Sequence, residues 1–131
     1  MLRQRAQGRH LGLLLMETQN AVGALSALAH PGRLEVFRLL VQAGADGMAA
    51  GDIARATGSL PNTLSTNLNI LASAGLVASR RDGRSIIYTA GYGQMRELLA
   101  FLMEDCCAGK PEICAPLTAI ASRACDEGRI C

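Results

Sequence analysis

Residues 49–74 read AAGDIARATGSLPNTLSTNLNILASA, a pattern of helix, short turn and second helix. Gly58 suits the end of a first helix over residues 49–57, and Pro61 suits the first turn of a second over residues 61–73, closed by Gly75. Stepping that second helix by about 100° per residue places Leu60, Leu64, Leu68 and Leu71 on one face, which is expected to pack inward. Asn62, Ser65, Thr66, Asn69 and Ser73 fall on the outward side. This outward face holds short hydroxyl and amide side chains and no Lys or Glu. A solvated helix face usually carries long charged side chains, whereas short donors and acceptors suit close approach to base edges and phosphates in a major groove. Asn62, Thr63, Ser65, Thr66 and Asn69 are therefore the candidate DNA-reading residues. A polar face without a role is the plainer alternative.

Downstream the period changes. Residues 76–80 and 85–89 are strand-like, and Asp82-Gly83 between them is a two-residue hairpin signal. Arg80, Arg81 and Arg84 crowd this hairpin, where they are expected to reach phosphates or a minor groove, or else to sit in solvent paired with Asp82. A long helix is expected over residues 92–107, with Met95, Leu98, Leu99, Leu102, Met103 and Cys106 on one stripe and Gly109 and Pro111 as its stop. A last helical piece starts at Pro116. Upstream, residues 17–29 form a helix with Val22, Leu25 and Ala29 on one stripe, ending before His30. Residues 31–43 form another, with Leu34, Phe37, Leu40 and Val41 on its buried face. The fold class expected is mainly α with a small β-hairpin wing, in winged helix-turn-helix order. A generic small α+β domain is the bland alternative.

The 131 residues fit one domain, and half are hydrophobic. Aromatic residues make up 3%, with no Trp, so the core is built from Leu, Ile, Val, Ala and Met. A net charge of +2 decides nothing alone. Its distribution is more informative: between Ile53 and Arg96 five arginines face only Asp82, while the stretch after Leu99 is net acidic. The longest apolar runs fall far short of the roughly 20 residues that span a bilayer. Residues 1–16 are basic, then briefly apolar, without a small-residue cleavage site, and are expected to be a flexible extension. All five cysteines lie after residue 105. A secreted scaffold spreads its cysteines through the fold, so this clustering implies reduced thiols in a cytoplasmic chain.

Cys106, Cys107 and Cys114 form CC-x6-C, with Cys125 and Cys131 beyond. Adjacent Cα atoms are about 3.8 Å apart, too close for an ordinary disulfide. A catalytic thiol wants a nearby His base, and His10 and His30 are distant in sequence. Zinc commonly takes four ligands, which here would require Cys125 or Glu112. Three thiolates without imidazole suit a soft, thiophilic ion.

The runs ALAHPGRLEVFRLL, GDIARATG, PNTLSTNLNILASAGLV and SRRDGRSIIYT resemble the ArsR family of metal- and metalloid-responsive repressors, over residues 17–107. The resemblance implies a homodimer that binds palindromic operator DNA and dissociates when an inducer binds; with no catalytic base or cofactor fingerprint in the sequence, neither an enzyme nor a required cofactor is expected. It further implies a DNA-binding and dimerisation domain at residues 17–107 and a cysteine-containing tail at residues 108–131. Two departures stand out. Asn67 occupies a position where many relatives carry His, and Gly47-Met48-Ala49-Ala50-Gly51-Asp52 replaces the Cys-Val-Cys cluster of the best-known arsenic sensors. Relatives with a C-terminal adjacent pair and a later Cys sense arsenic or antimony. The implied inducer is thus As(III) or Sb(III), held by Cys106, Cys107 and Cys114. A thiol redox-responsive repressor and a zinc-type divalent metal sensor remain as alternatives.

Overall fold

The computed structural model describes residues 16–104, together with Pro116 and Ala119. The chain forms two compact units, Met1–Phe101 and Leu102–Cys131. In order come α1 (Thr18–Leu28), α2 (Pro31–Ala43), a 3-10 turn (Gly44–Asp46), β1 (Met48–Ala49), α3 (Ala50–Thr57), α4 (Pro61–Ser73), β2 (Val77–Asp82), β3 (Ser85–Ala90) and α5 (Tyr92–Met103). The strands form one antiparallel sheet in the order β1-β3-β2. This is the expected winged helix-turn-helix arrangement. No helix of the described residues is long and apolar enough to cross a membrane.

Two side chains define the corner between α1 and α2. His30 is the extended N-cap of α2, and its Nδ1 accepts from the backbone N–H groups of Gly32 (3.1 Å) and Arg33 (3.3 Å). That satisfies two donors the helix itself leaves orphaned, and Pro31 gives up none at the first position. Arg33 closes α1 from the other side: Nε donates to the Ala27 carbonyl (2.6 Å) and Nη2 to that of Ser26 (3.4 Å). A cation at a helix C-terminus complements the partial negative charge there.

The core joins Val36, Phe37 and Leu40 of α2, Ile53 of α3, Leu64, Leu68 and Leu71 of α4, then Leu76, Val77 and Ala90 of the sheet and Leu98 of α5. The expected face of α1 is overturned. Its buried residues are Ala21, Ala24 and Ala27, while Val22 (55%) and Leu25 (41%) are exposed, as is Ala29. α1 packs against both α2 and α4, and small side chains let helix backbones approach closely. On α2, Phe37 and Leu40 are buried as expected, but Val36 joins them, Leu34 is exposed and Val41 is half-buried.

The wing also differs in detail. Asp82 pairs with Ser85, so Gly83 and Arg84 form the tip, one residue later than the Asp82-Gly83 expectation. Gly83, at φ 66°, takes the first tip position, where the twist of a two-residue hairpin demands positive φ. β1 is a third strand the sequence did not reveal; it pairs Met48 with Tyr88 and Ala49 with Ile87. α5 begins where expected. The Tyr92 hydroxyl donates to the Val41 carbonyl (2.9 Å) and Gln94 Nε2 to the Ala74 carbonyl (3.0 Å), fastening its first turn to the ends of α2 and α4. Of its expected stripe Leu98 is buried and Met95 half-buried, whereas Leu99, Leu102 and Met103 are exposed. Cys106 lies outside the described residues.

Candidate nucleic-acid interface

α3, the turn after it and α4 form the reading unit. Ile53 anchors α3 in the core with no exposed surface. Gly58 ends the helix in the left-handed conformation at φ 72°, and its N–H bonds back to the Ala54 carbonyl. The Thr57 hydroxyl donates to the Ile53 carbonyl (2.9 Å) and lies 2.8 Å from that of Ser59, so the turn is pinned on both sides.

On α4, Leu64, Leu68 and Leu71 are buried as the helical step requires. Leu60 is not: it is 71% exposed, against expectation. It is the N-cap, in extended backbone at φ −74° and ψ 150°, so a helical wheel does not apply to it. Asn67 is buried, 4% exposed. A Cβ placed on Gly32 would lie 3.2 Å from its Nδ2, which puts Asn67 inside the fold against the start of α2 rather than on the reading face.

Asn62, Thr63, Ser65, Thr66 and Asn69 are all exposed, and Ser73 continues the face. No acidic residue occupies the first turn of α4. Thr66 Oγ1 donates to the Asn62 carbonyl (3.1 Å) one turn back, leaving its lone pairs and methyl group outward.

The wing separates its three arginines. Arg80 reaches back over the sheet, with Nη1 donating to the Ala45 carbonyl (3.3 Å) and Nη2 to that of Asp46 (3.1 Å). It therefore braces the wing against the 3-10 turn, a role no sequence signal announces. Arg81 points to the opposite sheet face by strand alternation, and Arg84 sits at the tip. Both are exposed. Asp82 forms no ion pair with them; on α3 an ion pair joins Arg55 to Asp52. No group of His, Cys, Asp or Glu among the described residues is placed to hold a metal. The candidate ligands Cys106, Cys107 and Cys114 lie outside those residues.

Comparison with known proteins agrees with this geometry. A helix-turn-helix domain family model matches residues 28–80. The HTH-type transcriptional regulator YgaV of Escherichia coli is 30% identical over 97 residues, spanning 74% of this chain and 96% of that protein. The homodimeric winged helix-turn-helix DNA-binding domain of a possible ArsR-family regulator from Mycobacterium bovis is 34% identical, with a TM-score of 0.54 over 66% of this chain and 80% of that one. NolR from Sinorhizobium fredii is 35% identical, with a TM-score of 0.54 over 66% of this chain and 83% of that one. The winged helix-turn-helix of this chain, together with a 30% identical regulator matched over 96% of its length and similar domains matched over 80% and 83% of theirs, makes the chain a member of the ArsR family of winged helix-turn-helix transcriptional regulators.

Proposed function

We infer that this regulator is a homodimeric repressor that releases its operator when C-terminal thiolates capture As(III) or Sb(III). The outward face of α4 carries the DNA half of the reading. It presents Asn62, Thr63, Ser65, Thr66 and Asn69 with no long charged side chain among them, so base edges can come close. Arg81 and Arg84, both exposed and without an ion pair to a described residue, supply phosphate contacts. Dimerisation is supported by the surplus apolar surface on α1 and α5, where Val22, Leu25 and Leu99 are exposed. Exposed apolar groups of this size mark interaction sites when they gather. The similar domain from Mycobacterium bovis is homodimeric.

The sensing half rests on the sequence of Cys106, Cys107 and Cys114. On a helix, neighbouring side chains diverge by about 100°. Two adjacent thiolates thus share one ion only where the helix gives way, and Gly109 and Pro111 favour that. One experiment tests both halves. The protein is bound to duplex DNA from the region upstream of its own reading frame, and arsenite, antimonite, zinc or diamide is titrated in. Release by arsenite or antimonite and little by zinc supports this reading. Release by diamide alone, reversed by dithiothreitol, would instead identify a redox sensor.

A further inference from the structure

Leu60 breaks two local rules at once. It occupies the N-cap of α4 without any side-chain cap hydrogen bond, at a position where Ser, Thr, Asp or Asn stabilises a helix. It is also 71% exposed, more than any other large hydrophobic side chain among the described residues. Neither the core nor the helix end uses it. Departures of this kind, with no gain to the fold, concentrate at functional positions.

Its presentation is rigid. Pro61 restricts the preceding residue to extended backbone, which Leu60 adopts at φ −74° and ψ 150°. The turn before it is held by Gly58 and by the hydroxyls of Thr57 and Ser59. It therefore stands at the front of α4, separated only by Pro61 from the exposed Asn62 and Thr63. The first residues of a recognition helix are those that meet base edges in the major groove. On those edges one apolar group stands out, the C5-methyl of thymine. An isobutyl group fixed at the front of an otherwise polar reading face matches that methyl and little else there.

We propose that Leu60 packs on the C5-methyl of a thymine in each half-site and makes the protein specific for thymine at that position. This rests on the DNA reading given above, and the experiment separates the two. The full-length protein is used to select duplexes from a pool with a randomised centre. The enriched duplex is then remade with deoxyuridine for thymidine, one position at a time, which removes the methyl and alters no Watson–Crick group. Wild type loses affinity at one position per half-site, by about fourfold for a single buried methyl. Leu60→Ser binds the thymine and uracil duplexes equally. It also melts at the wild-type temperature or above, because Ser is the better N-cap.

Wild type binding every uracil duplex as tightly as its thymine parent overturns the proposal. So does a Leu60→Ser protein that still discriminates, since another residue then reads the methyl. If no sequence is enriched at all, the DNA reading itself has failed, and this inference with it.

Discussion

A guanidinium adds to DNA affinity through the N–H groups and charge it can turn toward a phosphate, and the three wing arginines differ in this. Arg80 has two nitrogens engaged by the Ala45 and Asp46 carbonyls, whereas Arg81 and Arg84 have no described partner. Each phosphate contact steepens the dependence of log K on log salt by about 0.9. Arg81→Ala and Arg84→Ala should each flatten that slope by about one contact and weaken binding to all sequences alike. Arg80→Ala should also weaken binding, by loosening the wing, but leave the slope unchanged. Fluorescence anisotropy at several salt concentrations separates the two classes; a flattened slope for Arg80→Ala would place it on a phosphate after all. On α4, Asn62→Ala and Thr66→Ala should each lose about 1–3 kcal/mol on the preferred sequence and far less on random DNA. Both side chains are exposed, so the melting temperature should not move. Equal losses on preferred and random DNA would show that these residues do not read sequence.

α1 shows where the sequence was a poor guide and why. Val22 and Leu25 recur at the same three-residue spacing as Ala21, Ala24 and Ala27, so periodicity alone offers two faces. Hydrophobicity points to Val22 and Leu25, yet the fold buries the alanines because α1 lies close on α2 and α4. Ala24→Leu should therefore overpack this contact and cost about 1–3 kcal/mol. Its side chain has no exposed surface, and chemical denaturation at fixed protein concentration measures the loss. An unchanged midpoint would mean that α1 is not seated as described. His30→Ala should remove the α2 cap and cost about 1 kcal/mol, while His30→Asn should restore most of it. Other differences share a local origin. Leu60 lies on the wheel of α4 but outside its helix, β1 has two residues and no room for an alternating pattern, and Gly83 shifted the wing tip by one place. What was legible came from longer signals: the limits of α2 and α4, the leucines of the α4 core, and the exposed polar face opposite them. The thiol cluster is legible only as composition and spacing, because Cys106, Cys107 and Cys114 lie outside the described residues.

At the scale of the whole molecule, operator release requires that the inducer favour one protein state over another. The face offered for dimerisation gives a first check: Leu25→Glu with Leu99→Glu should yield a monomer by sedimentation that no longer holds a two-fold operator, whereas a stable mutant dimer would move the interface elsewhere. The first turn of α5 is bonded to the end of α2 through Tyr92 and to the end of the recognition helix through Gln94. In the proposed mechanism, a strain entering α5 would pass to α4 through these bonds, without any contact between ion and DNA. A near-complete switch demands about 5.5 kcal/mol of differential affinity, which bonds to thiolates can supply and a weakly held ion cannot. Cys106→Ser and Cys107→Ser, singly or together, should therefore hold the operator in arsenite or antimonite that clears wild type. Cys125→Ser and Cys131→Ser should respond normally. All four should bind DNA as wild type before the ion is added, because no cysteine lies in α3, α4 or the wing. Gln94→Leu offers the complementary case: its thiols are intact, so it should still take up the ion, seen by ultraviolet thiolate charge-transfer absorption, yet release DNA less completely. If the Cys106→Ser, Cys107→Ser double variant leaves the operator as readily as wild type, the inducer is sensed elsewhere. If Gln94→Leu both binds the ion and releases fully, coupling does not pass through the joint between α5 and α4.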